Sequence, residues 1–119
     1  MAKRRLTIPA PSEARLPPAL QVRVLLRDHQ RCVYCGVVVG PFQVDHVRPR
    51  AHFRHDTPSA TVNAASNLVA ACETCNGAKG PQDLAGFSRM LTARGVLRED
   101  VDSMTRRVRR ATRRPIATE

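Results

Sequence analysis

Cys32-x-x-Cys35, then Asp45-His46, then Asn67, then Cys72-x-x-Cys75-Asn76-x-x-Lys79 is an ordered run of residues able to do chemistry. The two C-x-x-C pairs, 36 residues apart, supply four soft thiolates, a set that suits tetrahedral Zn²⁺. A redox pair or free thiols are the competing readings. The first residues, MAKRRLTIPAPSE, are basic and run into prolines instead of an apolar stretch. No secretory signal is therefore expected, and a reducing cytoplasm favours metal-bound thiolates over disulfides. The other members of the run are hard donors and a base. An imidazole titrates near about 6.5, suitable for taking a proton at neutral pH. A carboxylate and an amide carbonyl are the oxygen ligands that a cation such as Mg²⁺ prefers. Two metal sites with different work are expected: one soft and structural, one hard and reactive.

The elements that must position these groups are short. Pro17 and Pro18 precede ALQVRVLLRDHQ, predicting a helix from Pro18 to Asp28 with Leu20, Val24 and Leu25 on one face. RCVYCG reads as a metal-binding knuckle, with Gly36 relieving the turn after Cys35. VVVGPFQVDHV, broken at Gly40-Pro41, predicts two short strands in a hairpin. Residues 48–66 show no period and read as one long loop, of the kind that is usually functional or disordered. NLVAAC is an apolar strand running into the second knuckle, and Glu73 to Lys79 predicts a helical turn stopped by Gly80-Pro81. Two more helices are expected, over residues 83–93 with Leu84, Phe87 and Leu91 on one side, and over residues 98–112. In the second, Leu97, Val101, Met104, Val108 and Ala111 recur at helical spacing. The organisation is then a disordered basic arm over 1–15, a zinc-knuckle domain with its helix over 16–82, and a helical, arginine-rich extension over 83–119.

Size and charge bound the partners. At 119 residues, with three Phe, one Tyr and no Trp, the chain buries a thin core, for which a metal staple is expected. Eighteen arginines and two lysines against ten acids give a net charge of +10, which points to a polyanion, most simply nucleic acid. Glu99, Asp100 and Asp102 open the last helix, and Arg106, Arg107, Arg109, Arg110, Arg113 and Arg114 crowd its end. That order complements the helix dipole and leaves an acid-free basic stretch. Arg48, Arg50 and Arg54 flank the reactive run, and Lys79 follows it; each reads as a phosphate contact or a solvated charge. No apolar run approaches the roughly 18 residues that span a bilayer, so no membrane partner is expected.

The complete set in this order, over about Arg31–Gly80, resembles the HNH endonucleases with zinc knuckles. The resemblance implies an α+β fold: a small zinc-stabilised, treble-clef-like ββα-metal core, here with flanking helices and a basic C-terminal helix. It implies a metal-dependent DNA endonuclease that hydrolyses phosphodiester bonds with a histidine base and one divalent cation. His46 would be the general base and Asp45 a ligand of the catalytic ion. Asn67 would orient the His46 ring by a hydrogen bond, with Asn63 competing for that role. Many members carry histidine after the second knuckle; Asn76 matches the H-N-N variant and would be the second ligand. An amide oxygen is a harder, weaker ligand than imidazole, so the ion would be Mg²⁺ or Mn²⁺, with other divalent ions able to substitute.

The partner implied is double-stranded DNA, and the setting a bacterial cytoplasm or a phage-infected cell. The few aromatics argue against stacking on single-stranded bases. One site per chain implies nicking unless two protomers pair, and a protein partner would supply any specificity the small domain lacks. The alternatives are a non-catalytic zinc module that binds nucleic acid, and a subunit of a larger nucleic-acid assembly docked by its Met104/Val108 face. Asp45 and His46 distinguish them, since a bare binding module needs no base beside a carboxylate. The long loop is a departure from the usual glycine-rich connection, and its His52 and His55 have no role in the pattern.

Overall fold

The computed structural model describes residues 16–117; the basic arm expected over 1–15 lies outside them. In chain order the elements are α1 (Pro18–Arg27), β1 (Phe42–His46), α2 (Ser59–Val62), β2 (Leu68–Cys72), α3 (Glu73–Lys79), α4 (Leu84–Ala93) and α5 (Arg98–Arg113). The strands form a two-stranded antiparallel sheet with Phe42 opposite Cys72 and His46 opposite Leu68. With α3 this is a ββα unit in a mixed α+β fold, as the residue order implies.

β2 is buried along its whole length, which explains why LVAAC is continuously apolar and does not alternate. Its two faces serve two cores. Leu68 packs with Leu16 and Val24, and with the partly buried Leu20, Val44 and Ile116. Val69 and Ala71 pack with Val33, Tyr34, Phe87, Val101, Met104, Val108 and Ala111. The Tyr34 and Phe87 rings meet edge to face, with centroids 5.5 Å apart. The Met104/Val108 face is therefore filled by this chain's own core, while Leu97, expected on the same stripe, is 61% exposed at the helix start.

A two-stranded sheet leaves strand edges that need partners. On β2 the end of α1 and the first knuckle supply them. Asp28 accepts from the Ala70 amide at 2.8 Å, Arg27 donates to the Leu68 carbonyl at 2.5 Å, and the Val33 amide donates to the Ala70 carbonyl at 2.9 Å. Arg27 and Asp28, both buried, bond each other at 2.7 Å, so the charges that seal the edge are themselves paired.

The expected hairpin across Gly40-Pro41 does not form. Residues 37–41 carry no strand; Val38 and Val39 are 62% and 73% exposed, and β1 pairs only with β2, across the long loop. A β-branched triplet has strand propensity, but the carbonyl of its first member, Val37, is bonded to the Cys32 amide and no strand forms along it. The loop also has more local structure than its sequence shows, with α2 and 3₁₀ turns at Arg50–His52 and Ala65–Asn67. Helix ends follow the sequence signals. Pro18 starts α1, Asp83 caps α4 by accepting from the Gly86 amide, and Gly80 (φ 54°) and Gly95 (φ 91°) provide left-handed stops.

Candidate functional site

The four cysteine sulfurs lie within 4.8 Å of one another. A tetrahedral zinc with Zn–S bonds of about 2.3 Å has S···S edges of about 3.8 Å. Cys35 Sγ and Cys72 Sγ are 3.8 Å apart. In each knuckle the second cysteine's amide points at the first one's sulfur, Cys35 N to Cys32 Sγ and Cys75 N to Cys72 Sγ, both at 3.4 Å. These N–H···S contacts favour thiolates. Cys72 is also the N-cap of α3, where partial positive charge favours an anion. The cluster cannot hold several bare thiolates side by side. The hydrogen bond from Cys75 pulls the Cys32 thiol down to about 4, the same bond pushes Cys75 far up, and burial raises Cys35. A dication resolves that conflict, so the donor set fits structural zinc.

Above β1 the α3 helix makes a second constellation. Lys79 is fully buried; its Nζ lies 3.0 Å from Asp45 Oδ2 and donates to the His46 carbonyl at 2.8 Å. The Tyr34 hydroxyl donates to the same Asp45 oxygen at 2.6 Å. Burial and the neighbouring carboxylate push the Tyr34 phenol well above its usual range, so it stays a donor. Both contacts fall on Oδ2, leaving Oδ1 without a partner among the described residues. One turn earlier in α3, Asn76 Nδ2 donates to Gln43 Oε1, two residues before Asp45 on the same side of β1. The amide oxygen of Asn76 is thereby turned away from Gln43. Asp45 on β1 and Asn76 on α3 thus each carry an oxygen of the hard kind that Mg²⁺ or Mn²⁺ takes.

His46 ends β1, and its Nε2 lies 2.7 Å from Asn63 Oδ1. Asn67, expected to make this bond, does not. Its amide accepts from Arg48 N at 2.9 Å and donates to Arg48 O at 3.0 Å and Val62 O at 2.9 Å. Asn67 thus acts as one more rung of the ladder, closing the base of the loop that carries Asn63. An amide oxygen only accepts, so a hydrogen bond to Asn63 Oδ1 requires the tautomer with the proton on Nε2 and the lone pair on Nδ1.

The HNH endonuclease family matches residues 32–82, from the first cysteine to just beyond α3. Over this stretch, less than half of the chain, the sequence is similar to HNH endonucleases. A curated relative, the CRISPR-associated endonuclease Cas9 of Corynebacterium diphtheriae, is 30% identical over 82 residues, 67% of this chain. Among solved structures, the Type II-C Cas9 enzyme from Actinomyces naeslundii aligns with 80% of this chain at 25% identity and a TM-score of 0.47. The chain spans 7% of the first and 11% of the second.

Around the matched segment, several basic residues are not where phosphate contacts were expected. Lys79 is inside the protein, as the partner of Asp45. Arg107 donates to the Val33 and Tyr34 carbonyls at 2.9 and 2.6 Å, tying α5 to the first knuckle. Arg50 donates to the Thr57 and His55 carbonyls and shapes the loop. Each is consumed by a carbonyl or carboxylate that the sequence could not place beside it. Arg48 lies over the Phe53 ring, 4.4 Å from its centroid, and Arg54 is exposed beside Asp56. Arg106, Arg109, Arg110, Arg113 and Arg114 line one groove along the end of α5. His52 Nδ1 sits 3.7 Å from Asp83 Oδ2 and docks the loop on α4; neither His52 nor His55 joins a metal-ligand group among the described residues. Tyr34 and Gln43 carry no local signal as site residues, since a knuckle aromatic and a strand glutamine have no fixed offset from their targets.

Proposed function

We propose that this chain is a metal-dependent endonuclease acting on double-stranded DNA, with residues 16–82 carrying the chemistry and residues 83–119 serving as a basic extension. The supporting observation is the end of β1. Consecutive residues there present an anchored carboxylate with one oxygen unengaged and an imidazole whose tautomer is set by Asn63. His46 takes a proton from water at Nδ1, while Asn63 keeps Nε2 protonated and the ring fixed. Asp45 and Asn76 are the residues that would hold Mg²⁺ or Mn²⁺, which when bound would supply neutralisation of the negative charge that builds up during phosphodiester hydrolysis. Tyr34 and Lys79 prevent Asp45 from turning away, and Lys79 also fixes the His46 backbone. The four cysteines hold zinc and with it the relative placement of β1 and α3. The curated relative is an endonuclease from Corynebacterium diphtheriae, which supports a bacterial or phage-infected cytoplasm as the setting. No helix among the described residues is long and apolar enough to cross a membrane.

The test is cleavage of supercoiled plasmid by zinc-loaded protein with Mg²⁺ or Mn²⁺, wild type against His46→Ala. Nicking that falls about 100-fold or more in the variant is expected. Equal cleavage by both contradicts the mechanism, and DNA binding without cleavage by either supports a non-catalytic binding module instead.

A further inference from the structure

Between the turn after α1 and the last turns of α5 lies a cleft of about 130 Å³ walled by His29 and by the guanidiniums of Arg31, Arg110 and Arg114. Three other ionisable residues line it, and each is engaged: Cys32 belongs to the four-cysteine cluster. Asp28 is paired with Arg27 and with the Ala70 amide, and Arg107 is bound to the Val33 and Tyr34 carbonyls. Asp28, the one carboxylate in the cleft, is thus already paired with a cation outside this set of guanidiniums. No ion pair among the described residues involves Arg31, Arg110 or Arg114. Arg114 Nε is shut off from solvent and has no hydrogen-bond partner. A guanidinium N–H out of water with no acceptor is costly, and it belongs to one of the side chains that wall the cleft.

The dipole of α5 accounts for arginines near its end. It does not account for Arg31, which comes from another element, nor for a buried donor. Arg31 is held in place by its own bond, Nε to the Gly36 carbonyl at 3.1 Å, which leaves its terminal nitrogens for a ligand. Arg110 and Arg114 also border the wider groove of about 490 Å³ along the end of α5, so the two share a basic edge.

We propose that this cleft grips one phosphate of the nucleic-acid backbone, as an anchoring point that shares no residue with the Asp45–His46 site. Guanidiniums from two elements give forked, charge-assisted hydrogen bonds to phosphate oxygens, a geometry suited to arginine more than lysine. The cleft fixes where the duplex lies against the protein and reads no base. This rests on the reading of the chain as a DNA-binding nuclease.

The experiment is fluorescence anisotropy of a labelled duplex with zinc-loaded protein, without Mg²⁺ or Mn²⁺, over a potassium chloride series. Arg110→Gln/Arg114→Gln is expected to weaken binding about tenfold or more and to lower the salt slope by about 1 to 2. Arg31→Gln, from the opposite wall, is expected to weaken binding in the same direction. Arg98→Gln, which removes one charge at the far end of α5 where Arg98 pairs with Asp102, is the control. Melting temperatures of all variants report folding. Cleft variants that bind no worse than Arg98→Gln overturn the proposal. A second arm compares melting in inorganic phosphate and in chloride at matched ionic strength. If wild type does not bind the duplex, the nuclease reading fails. Phosphate stabilisation of wild type that the cleft variants lose then still supports the phosphate site, and no stabilisation overturns it.

Discussion

At the cysteine cluster, all four ligands come from two C-x-x-C pairs, and each pair supplies its own N–H···S support from within its turn. Around Asp45 and His46 the supports come from elsewhere: Tyr34 from the first knuckle, Lys79 and Asn76 from α3, Asn63 from the far end of the loop. The first region is a local construction that spacing alone describes. The second is assembled by tertiary packing, and it exists only when the first has brought β1, β2 and α3 together. A thin core needs the cluster for stability, whereas the reactive residues need the core for geometry.

That order of dependence can be broken from the top. Removing zinc by chelation, or by Cys72→Ser, is expected to abolish the cooperative unfolding transition, because structural zinc contributes on the order of 10 kcal/mol to small domains. Far-UV circular dichroism with zinc titration measures it, and a retained transition at full metal loss would separate the two regions. Next in size is Lys79→Met, which leaves Asp45 buried without its cation and is expected to cost about 3–5 kcal/mol. Adding Asp45→Asn should recover most of that stability in urea denaturation but no cleavage, which distinguishes folding from ion binding. The smallest effects compare the two asparagines. Asn67→Ala loses three hydrogen bonds at the loop base and is expected to cost about 2 kcal/mol in stability. Asn63→Ala is expected to cost about 1 kcal/mol or less yet slow cleavage about tenfold. Matched urea curves and single-turnover rates sort the pair.

The contrast also explains what could be read without coordinates. Cysteine spacing, the proline start of α1, the glycine stops of α3 and of α4, and the helical stripe of α5 are local signals, and each has its counterpart in the fold. The partner of β1 was not local. Val37–Val39 has the composition of a strand, but the pairing goes to β2 across the loop, and nothing within the triplet reveals that. The same limit separates Asn63 from Asn67. Both are loop amides near β2, and only the packing of α2 sets one against the His46 ring while the other extends the ladder. Lys79 is the sharpest case, a lysine at a helix end that reads as solvated until a carboxylate eleven residues after Tyr34 is found beneath it.

The central claim is that His46 accepts a proton at Nδ1 while Asn63 holds Nε2–H. The most direct measurement is the pH dependence of single-turnover cleavage in Asn63→Asp against wild type. A carboxylate facing Nε2–H stabilises the imidazolium and raises the pH at which the ring becomes a free base. Cleavage requires the free base, so the acidic limb of the profile should move to higher pH by about one unit or more. An acidic limb that stays in place, with the variant folded and active, would contradict the assignment.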